Sequence, residues 1–364
     1  MTKPAIRILI AASGSGGHLL PALCIAKAII RQQPDCIIEF LGSGRPLEEK
    51  LIGKAGFRLS TINVIGFKDK KGFGKIKSLA MLPRAFLQTW QYFSDFKPQL
   101  VIGVGGYVSL LPVLVAKLRG IPSWIHEAEL RAGLANSIQG WYATRISTAF
   151  PNVRFPLRSK VVYTGHPIRE EVIALTAEDR KASTPKHILI LGGSQGADSL
   201  DKASEFLAPF FQKHNLEVRH QCRTVNLESV QTNYQKLNVE ARVENFVDNM
   251  PEAYQWADII ISRSGASTVM EISVVNKPTI FVPYPFAQGQ HQLHNAMLLV
   301  TAGKALLVEE GSEFAERLTT EVKKLLDFQY YNKLQQAEFQ ARSVSAAEQI
   351  AKGCLELIQQ KAGK

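Results

Sequence analysis

The run Ile6-Arg7-Ile8-Leu9-Ile10-Ala11-Ala12 passes directly into Ser13-Gly14-Ser15-Gly16-Gly17-His18, and residues 19–31 then carry apolar side chains at helical spacing. An apolar run of strand length, a glycine loop and a helix, in that order, open a doubly wound α/β unit. The same succession returns at residues 187–191, where an apolar run leads into Gly192-Gly193-Ser194-Gln195-Gly196-Ala197 and another helix. Two openings of one kind predict two similar doubly wound α/β domains facing each other, one over residues 1–164 and one over 165–342. The closing residues 343–360 form an amphipathic helix with Ile350, Leu355 and Ile358 on one face. That helix, within 343–364, is expected to pack back on the first domain.

The intervening chain repeats the pattern. Residues 37–41, 100–104 and 123–126 are apolar runs that end at Gly42-Ser43-Gly44, Gly105-Gly106-Tyr107 and Glu127-Ala128-Glu129. Residues 218–221, 243–247, 259–262 and 279–282 supply strands to the second half, and Val161-Val162-Tyr163-Thr164-Gly165-His166-Pro167-Ile168-Arg169 reads as a last strand and a hinge. In parallel α/β sheets the loops at the carboxyl ends of the strands line the ligand crevice.

Length and charge narrow the function. The 364 residues exceed one ordinary core, and 46% hydrophobic with 21% charged residues describe a soluble globular chain. A net charge of +11 favours an anionic partner, whether nucleic acid, acidic lipid or a phosphorylated substrate. None of the nucleic-acid modules is present, so no nucleic-acid partner is expected. Cys24, Cys36, Cys222 and Cys354 lack the paired spacing of a zinc or redox motif and read as reduced thiols of a cytosolic protein. The 6–12 run is short, contains Arg7 and leads into glycines rather than a signal cleavage site. The uncharged stretch 98–116 is nearly long enough to span a bilayer, but Gly103, Gly105, Gly106 and Pro112 divide it into strand, loop and helix.

Two stretches carry binding chemistry. In Ile259-Ile260-Ile261-Ser262-Arg263-Ser264-Gly265-Ala266-Ser267-Thr268-Val269-Met270-Glu271, Thr268 and Glu271 have the spacing of a capping box. The free N–H groups and positive dipole end of such a helix suit an anion. A first-turn carboxylate can also accept hydrogen bonds from a ribose diol. The expectation is a nucleotide site; a simple helix cap is the plainer reading. In residues 66–90, Lys68, Lys70, Lys71, Lys75, Lys77 and Arg84 alternate with Phe67, Phe73, Ile76, Leu79, Met81, Leu82, Phe86, Leu87 and Trp90. Basic residues beside exposed apolar ones suit an anionic membrane surface, against the plainer reading of a solvated helix packed on its own domain.

Ser13-Gly14-Ser15-Gly16-Gly17-His18 with Pro21, Gly103-Val104-Gly105-Gly106-Tyr107, His126-Glu127, Gly165-His166-Pro167-Ile168-Arg169, Gly192-Gly193-Ser194-Gln195-Gly196-Ala197, Ser262-Arg263-Ser264-Gly265-Ala266, and His291-Gln292 with Asn295-Ala296 follow one another along the chain. In that order they resemble the MurG family, the glycosyltransferases that make lipid II of peptidoglycan, over nearly the whole length. The resemblance implies two Rossmann-like domains facing a cleft, the GT-B architecture. It implies inverting transfer of N-acetylglucosamine from UDP-GlcNAc to the 4-hydroxyl of an undecaprenyl-linked muramyl pentapeptide. The setting it implies is peripheral, on the cytoplasmic face of the inner membrane, in cell-wall biogenesis, with cell-wall synthesis and division proteins as partners.

By the same resemblance, Ala266, Ser267, Thr268, Val269, Met270 and Glu271 surround the donor's diphosphate and ribose, with Glu271 on the ribose hydroxyls and the backbone of Val247 at uracil. Arg169 and Ser194 match donor-contacting positions, and His291 and Gln292 lie near the sugar hydroxyls. A hinge ion pair and a helix cap are the plainer roles of Arg169 and Ser194. Glycines at Ser15-Gly16-Gly17 let a backbone approach phosphate closely. His18 is a candidate general base, since imidazole titrates near the working pH. Glu127 is the rival, a strand-end carboxylate that burial can tune upward. No Asp-x-Asp metal motif is present, so no metal or other cofactor is expected, with helix amino termini and Arg169 stabilising the departing UDP. Where the family continues Gln-Asn after His-Glu, this chain has Ala128-Glu129, and Gly289-Gln290 replaces the usual Asp-Asp. An ionised Glu129 cannot donate a hydrogen bond to the donor sugar. Two alternatives accompany this reading: a relative that glycosylates another lipid such as diacylglycerol, and a sugar-nucleotide-binding protein that has lost catalysis.

Overall fold

The structure, a computed structural model, describes residues 5–14, 16–62, 82–177, 184–194, 196–337, 339 and 342–363. It divides into two units, one comprising Met1–Ile168 with Arg342–Lys364 and the other Arg169–Ala341.

In the first unit seven parallel strands, β1 (Arg7–Ala11), β2 (Ile37–Gly42), β3 (Arg58–Thr61), β4 (Leu100–Gly103), β5 (Ser123–Glu127), β6 (Arg145–Thr148) and β7 (Val161–Tyr163), lie in the order β3-β2-β1-β4-β5-β6-β7. The described helices of this unit that precede β7 are α1 (Gly16–Gln32), α2 (Pro46–Lys54), α3 (Leu82–Phe96), α4 (Leu110–Leu118) and α5 (Leu134–Gln139). In the second unit β8 (His187–Leu191), β9 (Glu217–Gln221), β10 (Ala241–Glu244), β11 (Ile259–Ser262), β12 (Thr279–Phe281) and β13 (Ala305–Leu307) form a parallel sheet in the order β10-β9-β8-β11-β12-β13. Its helices are α6 (Glu170–Ile173), α7 (Asp198–Lys213), α8 (Leu227–Lys236), α9 (Met250–Trp256), α10 (Ala266–Val275), α11 (His291–Thr301), α12 (Phe314–Leu325) and α13 (Phe328–Gln336), and α14 (Ala346–Ala362) closes the chain. Each order reverses beside its first strand, the topological switch point where open α/β sheets bind ligands.

Central strands buried on both faces read as continuous apolar runs, and β1, β4, β8 and β11 do so. β3 (Arg-Leu-Ser-Thr) and β6 (Arg-Ile-Ser-Thr) lack such a run, and β13 (Ala-Leu-Leu) is only three residues long; none of the three was expected. β10 begins and ends earlier than the expected 243–247 strand, and the Val247 side chain turns into the core of the second unit instead.

α14 belongs to the first unit, where Ile350, Ala351, Cys354, Leu357 and Ile358 join the core under α1. Leu355 is only half-buried, so the inward stripe runs through Cys354 and Leu357 rather than through Leu355 as expected. Gly353 has a packing reason: a Cβ there would stand 2.6 Å from the Trp124 indole. Most of the basic–apolar segment, including Lys68, Lys70, Lys71, Lys75 and Lys77, lies outside the described residues. Because Ile350 is wholly buried, Ile350→Ala should cost the first unit about 2–4 kcal/mol in urea unfolding. A loss below about 1 kcal/mol would show that α14 is not part of that core.

Candidate functional site

At the switch point of the first unit stands His18, half-buried on the first turn of α1. Its Nδ1 lies 3.2 Å from the Ser13 carbonyl oxygen. A carbonyl only accepts, so in the neutral ring Nδ1 carries the proton and Nε2 keeps the lone pair. Gly105, at φ +74°, leaves room for the ring: a Cβ there would sit 2.7 Å from His18 Cδ2 and 2.9 Å from Nε2. At Gly106 a Cβ would come within 3.2 Å of the same Ser13 oxygen. The glycines after β4 thus serve an imidazole. The amide of Gly14, in the loop read as a phosphate cradle, donates at 3.1 Å to Glu48. Gly16 and Gly17 open α1, and Ser15 lies outside the described residues.

Glu127 ends β5 and is buried. Its carboxylate accepts from the Glu129 amide at 2.9 Å, the Gly133 amide at 3.0 Å and Asn136 Nδ2 at 2.9 Å. These bonds tie the loop after β5 to the start of α5. Burial pushes the Glu127 carboxyl up to about 7, against the pull of those donors. Glu129 contributes its amide to this knot, and its side chain is half-buried.

Beside these two groups lies a histidine pair to which the sequence reading assigned no role. His126 Nε2 is 3.1 Å from His166 Nδ1, and His126 Nδ1 is 2.9 Å from Ser147 Oγ, which also accepts from Trp124 Nε1 at 2.8 Å. Both rings are buried. Desolvation, and then the nearby charge of His18, hold His166 down at about 3; desolvation, His166 and His18 lower His126. Both therefore stay neutral near neutral pH.

In the second unit, Gly265 caps α10, so Thr268 is its third residue and Glu271 its sixth. The expected capping box is absent, and Glu271 stands on the second turn. It is 3% exposed and accepts from Arg169 Nε at 2.8 Å, Arg169 Nη2 at 2.6 Å and Tyr254 Oη–H at 3.1 Å. Three bonds occupy three of a carboxylate's about four lone-pair positions. Two residues expected at diphosphate and ribose are therefore brought onto each other. Tyr254 was not anticipated; it lies on α9, and nothing local marks it.

The first turn of α10 presents Ala266, Ser267 and Thr268, whose amides precede the first intrahelical bonds. Ala266, Val269 and Met270 are buried, and Ser267 and Thr268 are half-buried. Ser194 is exposed after β8 and is not a cap, because α7 starts at Asp198 with Ala197 at its N-cap. His291 opens α11 and is half-buried. Gln292 secures neighbouring loops: its carbonyl accepts from Ser264 Oγ at 2.8 Å and its Oε1 from the Tyr284 amide at 2.9 Å. Arg263, for which no role was expected, donates to the Val282 and Pro283 carbonyls at 3.0 and 3.1 Å and pairs with Glu310 at 2.5 Å. Among the described residues, no group of three or more His, Cys, Asp or Glu is arranged to hold a metal ion.

Residues 8–148 match the glycosyltransferase family 28 N-terminal domain and residues 187–351 its C-terminal domain. The chain is 34% identical to the UDP-N-acetylglucosamine–N-acetylmuramyl-(pentapeptide) pyrophosphoryl-undecaprenol N-acetylglucosamine transferase of Anaeromyxobacter sp. (strain K), over 98% of this chain and 94% of the relative. The chain belongs to the MurG family. The Coxiella burnetii (strain Dugway 5J108-111) protein of the same name is 38% identical over 84% of this chain and 86% of its own. The crystal structure of Acinetobacter baumannii MurG superposes with a TM-score of 0.73 at 30% identity, covering 97% of this chain and 100% of that one. The two parallel-sheet units are accordingly the domains of a GT-B glycosyltransferase, and the MurG motifs begin at the carboxyl ends of strands, apart from His291-Gln292 with Asn295-Ala296, which lies on α11.

The raised Glu127 carboxyl links stability to pH. Below pH 4.5 folded and unfolded chains both hold this proton, and between about 4.5 and 7 the folded chain keeps it while the unfolded chain releases it. Its contribution is therefore fully present below 4.5 and is lost as pH rises through about 7. In a thermal-melt series over that range, wild type should lose stability relative to Glu127→Gln as pH rises. A difference independent of pH would contradict the shift.

Proposed function

We propose that this protein transfers N-acetylglucosamine from UDP-GlcNAc to the 4-hydroxyl of undecaprenyl-pyrophosphoryl-MurNAc-pentapeptide, turning lipid I into lipid II for peptidoglycan. The observation that carries this is identity of 34% over 98% of the chain to a transferase named for that reaction. In this reading the second unit takes the donor and the first the acceptor. The amides at the start of α10 and the Arg169 guanidinium meet the diphosphate. The Val247 backbone lies at uracil, and Ser194, His291 and Gln292 complete the donor site. Glu271 takes a ribose hydroxyl on its remaining lone pair, and both hydroxyls if the diphosphate draws Arg169 away.

His18 acts as the base. Its Nε2 accepts the proton of the acceptor's 4-hydroxyl as that oxygen bonds to the sugar's C1 and the C1–O bond to UDP breaks. The leaving group's charge passes to the diphosphate, which peptide dipoles and Arg169 stabilise. Glu127 is the weaker choice because its carboxylate already serves three donors in its own loop.

We also assign the first unit to the cytoplasmic face of the membrane, bound peripherally. Among the described residues no helix is long and apolar enough to cross a membrane. Support for surface binding comes from α5 and its end: Leu134, Ile138 and Trp141 stand at helical spacing and are 70%, 43% and 65% exposed. Leu87 on α3 and Leu118 at the end of α4 are exposed as well. Such an apolar face in a basic protein suits anionic lipid.

Kinetics, calorimetry and vesicle sedimentation test this. With labelled UDP-GlcNAc and a short-chain muramyl lipid, His18→Ala should lower kcat by about 10²- to 10⁴-fold with little change in donor KM. Glu271→Ala should raise donor KM at least about tenfold, the loss of one charge-assisted hydrogen bond; calorimetric UDP binding on the folded variant separates this from unfolding. Wild-type kinetics for either variant would remove that residue's role. Separately, replacing Leu134, Ile138 and Trp141 by Ser should weaken sedimentation with anionic vesicles, and undiminished binding would place the membrane face elsewhere.

A further inference from the structure

We infer that Glu48 is a positioning residue for the His18 base, acting through the Ser13–Gly14 turn; the inference rests on the base role proposed above. Glu48 is wholly buried on the first turn of α2. Its Oε1 accepts from the Gly14 amide at 3.1 Å and Ser43 Oγ at 2.8 Å, and its Oε2 from the Ser43 and Gly44 amides at 2.7 and 2.9 Å. A carboxylate used only to cap α2 would need the amide of Arg45, yet that contact is the longest of the set, at 3.4 Å. The closer bonds join the loop after β2 to the loop after β1. Gly42 keeps the space open, since a Cβ there would lie 2.5 Å from Glu48 Oε2.

The Gly14 amide belongs to the peptide that also contains the Ser13 carbonyl. The N–H on one edge of this peptide donates to Glu48, and the carbonyl on the opposite edge accepts from His18 Nδ1. Fixing the peptide plane therefore fixes the direction of the imidazole and the nitrogen that holds the lone pair. Releasing it lets the peptide rotate, the carbonyl leave Nδ1 and the ring change tautomer or tilt. A shift of about 1 Å at a reacting group can cost about a hundredfold in rate.

Glu48→Gln puts an amide N–H₂ among groups that themselves donate. It should lower kcat about ten- to hundredfold, hold donor KM within about twofold, and shift the acid limb of the kcat–pH profile. Ile52→Ala, which hollows the core beneath the same helix, should lower the melting temperature without moving kcat. In a double-mutant cycle, Glu48→Gln should add no loss to His18→Ala. The inference is overturned if Glu48→Gln behaves like Ile52→Ala, or if its loss of kcat persists undiminished in the His18→Ala background. His18→Ala at the wild-type rate would instead remove the base role itself. Should Glu48→Gln fail to fold, Gly42→Ala displaces the same carboxylate from the strand side and is read by the same kcat and pH profile.

Discussion

The hydrogen bond between the Ser13 carbonyl and His18 Nδ1 decides which imidazole nitrogen keeps the lone pair, and the loops after β1, β2 and β4 are arranged around it. The bond requires a glycine turn after β4, because a side chain at Gly105 would occupy the ring's place. It requires the turn after β1 to be held, which the buried Glu48 does. It is accompanied by two buried histidines that stay neutral, so no permanent cation from that pair opposes proton uptake on His18. The doubly wound order of the sheet brings these loops together, since β1 and β4 are adjacent although residues 12–99 separate them.

The second unit solves a different electrostatic problem. A carboxylate as deeply buried as Glu271 requires donors, and it finds them in Arg169 and Tyr254. Breaking such a pair by removing one partner typically costs about 3–5 kcal/mol. Arg169 is also the first residue of its unit. The group proposed to bind ribose is therefore bonded to the segment at which the chain leaves one unit for the other, so a substitution at either residue carries a stability cost along with any effect on donor binding.

Sequence reading reached the central strands because double burial leaves a continuous apolar signature. It missed β3 and β6 because short Arg/Ser/Thr-rich strands carry no such run. It placed His18, Glu127, Arg169 and Glu271 at strand-end loops or on the helix after one, as found, but it could not show that Arg169 and Glu271 bind each other across a long chain separation. The bond from Gly14 to Glu48 and that from Tyr254 to Glu271 were invisible for the same reason: each is set by tertiary contact. The capping-box reading of Thr268 and Glu271 failed because Gly265 takes the N-cap and moves Glu271 a turn deeper, where it pairs with Arg169.

The proposed single displacement, with His18 deprotonating the acceptor as UDP departs, must invert the sugar's anomeric carbon. The most direct measurement is the anomeric configuration of the disaccharide made from UDP-α-GlcNAc and a short-chain muramyl lipid, read from the coupling of its anomeric proton. The account predicts a β-1,4 linkage. An α-linked product, or no transfer by enzyme that binds UDP-GlcNAc, would contradict it.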